Sequence, residues 1–414
     1  MFAMNFHASV TFLLLENSNL EKKVIIALSG GVDSAVSAAL LKKQGFQIVG
    51  VFFRFFDPAL REGRGRTDGS LKKAKLVAEK LNIPLEIVDA RKEFKKKIVN
   101  YFIQAYKKGI TPNPCVVCNK EMKFRLLFEL LKKYKADYIA TGHYARIKRE
   151  FSIFNFQFPN NSKISKFQNV KLLEAVDKSK DQSYFLYKLT QKELSKTIFP
   201  LGKLKKTEVK ILAKKFKLPV FGDEESQDVC FLANSDISRF LKKNIKPKLG
   251  NIIDEKGNIL ACHKGLPFYT IGQRKGIEIG PPASRQEWEA IRASGPGPYF
   301  VVRKNIKKNE IVVTKDPKKL LVRKFFVNRV NWVNKGNSGR KYILKVHVQI
   351  RYHAPKVSAI IRKSPEADAS RRYGVNKSEV LTIEAKKNLR AVTKGQSAVF
   401  YKNSEVLGGG TITS

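Results

Sequence analysis

The sequence predicts an α/β protein: a doubly wound parallel sheet at the N-terminal end, a small central domain and a C-terminal antiparallel β-barrel. Three observations predict it. Apolar runs alternate with helix-period segments as far as about residue 216. After about residue 223 the texture changes, Gly and Pro become frequent, and short strands replace strand–helix units. Lys345–His353 alternates strictly, with Val346, Val348, Ile350 and Tyr352 on one face and His347, Gln349, Arg351 and His353 on the other.

Val24–Leu28 is a continuous apolar run, as a strand buried on both faces requires. A loop and a helix from about Asp33 to Lys43 follow; Gly45 ends the helix and a second run covers Ile48–Phe53. The pattern repeats with helix 70–81, strand 85–88, helices 95–106 and 119–134, and strand 138–140. Residues 151–170 read as a hairpin or variable insertion, and Thr207–Phe216 as a helix. Tyr299–Arg303 and Ile311–Thr314 form a hairpin, and Leu381–Glu384 and Ser397–Tyr401 add strands. Residues 281–298, rich in Gly and Pro, are the linker candidate. The expected division is an N-terminal extension at 1–20, disordered or the product of a mis-assigned start, then units at 21–222, 223–296 and 297–414.

Eighty Lys plus Arg against 36 Asp plus Glu give a net charge of +44. A field of that sign attracts polyanions, of which nucleic acid is the commonest large one. Four cysteines make no disulfide scaffold, so a reducing compartment is expected. The apolar stretch Ala8–Leu15 is too short to span a bilayer and has no basic residue before it. A cytoplasmic monomer without a membrane partner is the expectation.

Ser29-Gly30-Gly31-Val32-Asp33-Ser34 lies where a strand ends and a helix begins. Its glycines let backbone N–H groups approach an anion, and the helix N-terminus adds positive potential. Asp33 can hold the Mg2+ that accompanies a pyrophosphate. The loop is neither a Walker A nor a dinucleotide motif. It resembles the phosphate loop of the N-type ATP pyrophosphatases, which cleave ATP between the α and β phosphates and adenylate an acceptor.

Thr111-Pro112-Asn113-Pro114-Cys115-Val116-Val117-Cys118 carries two prolines that delay helix until about Cys118. That predicts Cys118 at a helix N-terminus in basic surroundings, with a lowered pKa and nucleophilic character. Cys230 lies in a polar, loop-like setting, whereas Cys262 is expected to be a buried small hydrophobe. A zinc ribbon lacks its second cysteine pair; an iron–sulfur cluster on Cys115, Cys118 and Cys230 stays open as an alternative. Gln273–Gly276 is read as a basic turn that contacts phosphate.

Six ordered blocks are similar to the tRNA-specific 2-thiouridylase family: TPNPCVVCNKEMKF (111–124), DYIATGHYARI (137–147), KDQSYFLYKL (180–189), SQDVCF (226–231), LPFYTIGQRKGIEIG (266–280) and GQSAVFY (395–401). The resemblance implies sulfur replacing O2 of the wobble uridine, position 34, in tRNAs for Lys, Glu and Gln. By the same resemblance Ala27, Leu28, Ser29, Gly30, Gly31, Val32, Asp33 and Ser34, with Phe53 and Gly142, would hold ATP with Mg2+. Asn113, Pro114 and Cys115 would face the target base, with His143 beside it. Lys180, Asp181 and Gln182 would touch tRNA, as would Arg351, Tyr352 and Gln396. Cys118 would be the nucleophile, and Cys230 would carry a persulfide from a sulfur-relay protein or cysteine desulfurase. Several family members have Asp where this chain has Cys115, so that aspartate's role does not transfer. The substitution keeps a 4Fe–4S cluster on the three thiols in view as the second sulfur route.

Overall fold

The computed structural model describes residues 22–56, 66–156, 163–222, 229–232, 237–277, 279, 298–334, 343–363 and 380–413. Expectations for residues 1–20, most of the 281–298 linker and Ser226–Asp228 lie outside these residues.

Strands β1 (Lys23–Ala27), β2 (Gln47–Arg54), β3 (Leu85–Asp89) and β4 (Tyr138–Ala140) follow the alternation read from the sequence. Next come β5 (Ala145–Phe156) and β6 (Lys163–Glu174), a long antiparallel hairpin, and then β7 (Thr197–Ile198). The parallel sheet runs β3-β2-β1-β4-β7. Side-chain alternation divides β1 between two cores. Val24 and Ile26 pack with Val36 and Leu41 of helix Val32–Lys43, while Ile25 packs with Val51, Phe124 and Leu127 on the other face. Both faces being covered is why the run is apolar without a break.

The order reverses direction at β1, since β2 and β3 lie to one side and β4 to the other. In open α/β sheets the crevice beyond the strand ends at such a reversal is where ligands bind. The loops that leave β1 and β4 there are 28–31 and 141–144.

β8 (Gly250–Ile253), β9 (Ile259–His263), β10 (Phe300–Asn305) and β11 (Glu310–Thr314) form a second sheet in the order β10-β11-β8-β9. The expected hairpin at 299–314 is present. It joins the central sheet through parallel pairing of β11 with β8, not the barrel in which a division at 297 would place it. Strand pairing between segments about 60 residues apart leaves no local signature, which is why the division falls elsewhere in the sequence.

β12 (Leu321–Trp332), β13 (Ile343–Gln349), β14 (Val357–Lys363), β15 (Leu381–Arg390), β16 (Ser397–Lys402) and β17 (Glu405–Ile412) make the antiparallel barrel. Its order is β12-β15-β14-β13-β16-β17, and β12 pairs with β17 to close it. Val346, Val348 and Ile350 point into its core with Phe325, Ile383 and Phe400. Tyr352 does not. It lies beyond the strand and packs on Phe185 of the first domain, ring centroids 4.4 Å apart. β6 adds to β17 through Leu173↔Glu405 and Leu172↔Val406, so the hairpin fastens the first domain to the barrel.

Candidate active site

Gly31 caps helix Val32–Lys43 in an extended conformation, and Gly30 has φ +79°, a region that L side chains rarely enter. A Cβ on Gly30 would lie 2.2 Å from the carbonyl oxygen of Ser70. A Cβ on Gly142 would lie 2.9 Å from the Ser34 amide nitrogen, so only glycine lets the β4 loop press against the phosphate loop. Ser34 Oγ donates to Gly31 O (2.9 Å) and accepts from the Ser29 amide (3.1 Å), with Ser29 Oγ 3.2 Å away. These bonds hold the turn in shape before any ligand arrives. Leu28 is buried and Ala27 half-buried at the strand end, while Phe53 stacks on Phe55 at 5.5 Å.

Two residues that the motif reading does not assign complete this region. Tyr144 OH and Lys206 Nζ both donate to Asp33 Oδ1 at 2.7 Å. Lys206 is 8% exposed although it is a lysine, so its ammonium is held by that carboxylate. Tyr144 stands inside the quoted block beside His143. Lys206 opens helix Lys206–Lys215, far along the chain, and no local pattern marks it. A carboxylate, a glycine turn at a helix N-terminus and a buried cation suit ATP with Mg2+, an ion that binds through few protein carboxylates and the phosphates themselves.

The thiols depart from the sequence expectation. Pro114 occupies the first helical position, where its missing N–H costs nothing, and Asn113 caps the helix by accepting from Val116 N–H (3.4 Å). The helix therefore starts at Pro114, and Cys118 lies a turn inside it, next to a π-helical segment at Asn119–Phe124. Cys118 is 5% exposed, among Phe94, Met122 and Phe231. Burial pushes its thiol up to about 12 and that of Cys115 to about 11, against the opposing pull of the Lys123 ammonium. The expected lowering is thus reversed, because Cys118 is not at the helix N-terminus and desolvation outweighs the Lys123 charge. Cys230 is exposed, and it lies near enough to Cys115 and Cys118 to add to the upward shift of both. Cys262, expected to be buried, is exposed on β9. Among the described residues no three His, Cys, Asp or Glu side chains gather as a metal site.

His143 Nδ1 lies 2.7 Å from Thr141 Oγ1, with Phe124 and Phe199 rings flanking it. Burial pushes its pKa down to about 3, so the imidazole is neutral near pH 7. Asp181 turns inward: Oδ1 accepts from Ala175 N–H (2.8 Å) and Oδ2 from Ser183 Oγ (2.8 Å), and burial raises its pKa. Gln182 Oε1 accepts the Tyr144 N–H at 3.0 Å. Lys180 is half-buried at the head of this segment. Arg351 is exposed and donates to Ala391 O (2.6 Å), next to Tyr352. Gln396 Nε2 donates to the carbonyls of Thr111 and Pro112 at 3.2 and 3.1 Å, so the barrel holds the segment that leads into Asn113. Tyr184 OH, 3.5 Å from Asn113 Nδ2, donates to Ser397 O at 2.9 Å and adds a second tie.

A phosphate loop at the switch point of the sheet, with a separate set of thiols, suits a nucleotide-binding enzyme. Three family models match in succession: the tRNA methyl transferase HUP domain at residues 22–234, the tRNA methyl transferase PRC-barrel domain at 238–315 and the aminomethyltransferase beta-barrel domain at 322–412. The tRNA-specific 2-thiouridylase of Halothermothrix orenii is 38% identical over 396 residues, covering 94% of this chain and 98% of its own. That of Carboxydothermus hydrogenoformans is 36% identical, covering 94% and 97%, and that of Buchnera aphidicola is 36% identical, covering 95% and 97%. The chain belongs to the tRNA-specific 2-thiouridylase family, whose members are sulfurtransferases. Among the described residues no helix is long and apolar enough to cross a membrane.

Proposed function

We propose that the protein replaces O2 of uridine 34 with sulfur in tRNAs for Lys, Glu and Gln, using ATP. The observation that supports the thiol chemistry most is that Cys230, exposed, comes within electrostatic reach of the buried Cys115 and Cys118 across a long stretch of sequence. An exposed thiol can take sulfur from a relay protein or desulfurase, and a buried one beside it is protected from other oxidants.

The uridine O2 attacks the α phosphorus of ATP, and pyrophosphate leaves from the loop at Ser29–Ser34. The terminal sulfur of a Cys230 persulfide then attacks C2, and AMP leaves. Cys118, once deprotonated, attacks the Cys230 sulfur and breaks the S–S bond. The product keeps the terminal sulfur, and a Cys118–Cys230 disulfide remains for two-electron reduction by a cellular thiol. Mg2+ would neutralise charge on the phosphates, with Asp33 as its protein ligand. Asn113, Pro114 and Cys115 would receive the base, which must leave the anticodon stack to reach them. The neutral His143 would sit beside it. Lys180, Gln182, Arg351, Tyr352 and Gln396 would hold the tRNA, and Asp181 would shape the turn that presents its neighbours.

Incubation with unmodified tRNA, ATP, Mg2+ and a sulfur donor, followed by nucleoside mass spectrometry, tests this reading. 2-Thiouridine is expected with the three tRNAs; none with either a persulfide donor or free sulfide sinks it. An iron and sulfide assay after anaerobic purification separates the persulfide route from a cluster, and no iron is expected.

A further inference from the structure

The phosphate loop and the 180–182 segment share side chains that no motif connects. Tyr144, 2% exposed, lies between them. Its hydroxyl donates to Asp33 Oδ1 (2.7 Å), its N–H to Gln182 Oε1 (3.0 Å), and its carbonyl accepts the Gln182 N–H (2.8 Å). A second route leaves the same carboxylate oxygen. Lys206 Nζ donates to Asp33 Oδ1 (2.7 Å), and the Lys206 N–H donates to Asp177 Oδ2 (2.9 Å). Asp177 in turn accepts the Ser179 N–H and hydroxyl at Oδ1, and its carbonyl accepts the Lys180 N–H (3.2 Å). Asp33 is thus tied to both ends of the 180–182 turn.

We propose that Tyr144 is a positioning residue that couples the two sites, so that ATP at 29–34 and tRNA at 180–182 each strengthen binding of the other. The proposal rests on the reading above that these segments meet ATP and tRNA. Tyr144 meets Gln182 through its own main-chain N–H and carbonyl, one bond reaching the Gln182 side chain and the other its N–H, so a tRNA that holds Gln182 in place also holds the main chain that carries the phenol. The phenol then holds Asp33 in the orientation that a magnesium–phosphate group needs. The phenol is buried although the Asp33 carboxylate is partly exposed, so its hydroxyl has few partners other than that carboxylate. Linkage requires the effect to be equal in both directions.

The test measures the affinity of the full chain for α,β-methylene-ATP with Mg2+, with and without unmodified tRNA for Lys. It also measures tRNA affinity with and without the analogue, at one salt concentration. In the wild type each ligand is expected to tighten the other by the same factor, at least about fivefold. Tyr144→Phe, which keeps the ring and removes only the hydroxyl, is expected to bring that factor near one in both directions while tRNA affinity without analogue is retained. Because the readout is a ratio, weaker ATP binding alone does not imitate it. Asp177→Asn, outside both sites, interrupts the second route and is expected to leave most of the coupling. A factor of one in a wild type that binds both ligands overturns the proposal, as does full coupling in Tyr144→Phe or loss confined to Asp177→Asn. If Lys180→Glu leaves tRNA affinity unchanged, the underlying placement of tRNA fails and the proposal falls with it, an outcome separate from loss of coupling.

Discussion

The phosphate loop and the thiol region are prepared to different degrees. Around Ser29–Ser34 the hydroxyl bonds, the two close glycine approaches and the Asp33–Lys206 pair are already in place. Around Cys118 the proposed nucleophile is buried, and burial pushes its pKa up to about 12. The difference teaches that the ATP half is preorganised, whereas the sulfur half needs an event that changes the surroundings of Cys118. In the proposed reaction, a thiol kept neutral until a base and a persulfide are present would be protected from wasteful oxidation.

The contrast is broken most easily at the thiols themselves. With iodoacetamide at pH 8, Cys118 in the free protein should react on the order of 10³-fold more slowly than Cys230, read by peptide mass spectrometry. Comparable rates would mean that Cys118 is primed without substrate. At the phosphate loop, Gly30→Ala should lower pyrophosphate release on the order of 10²-fold, because both the left-handed backbone and the contact with Ser70 must give way. A variant with wild-type turnover would show that the loop is not held as tightly as described. Lys206→Met should reduce pyrophosphate release roughly tenfold, the worth of a charge-assisted hydrogen bond, with little change in tRNA affinity.

The smallest effect concerns His143. Its folded pKa of about 3 lies below the ordinary value of 6.5, so the unfolded chain takes up a proton that the folded one refuses. This contribution is complete above 6.5 and is lost as pH falls toward 3. His143→Gln should flatten the decline of the urea midpoint between pH 7 and 4.5; an unchanged slope would place the imidazole in water.

Much of the fold was legible locally. The unbroken Val24–Leu28 run, the loop after it and the alternation at Lys345–Gln349 each carry their own periodicity, and the structure keeps them. Ser29–Ser34 was legible because glycine and hydroxyl residues at a strand–helix junction have few other uses. Lys206 was not legible, since its meaning lies in a carboxylate 173 positions away. The inward turn of Asp181 and the tie from Gln396 to Thr111 are likewise tertiary. The error at Cys118 has a different origin. Two prolines suggested a delayed helix, but Pro114 suits the first helical position, and burial, which no local pattern reports, then outweighs the basic neighbours.

The separation of a ready ATP half from a sulfur half that must be activated is tested most directly by following pyrophosphate and 2-thiouridine together in Cys118→Ser. With tRNA, ATP and a persulfide donor, the variant should release one pyrophosphate per active site at the wild-type rate and form no 2-thiouridine. Loss of the pyrophosphate burst, or retention of full thiolation, would contradict the account.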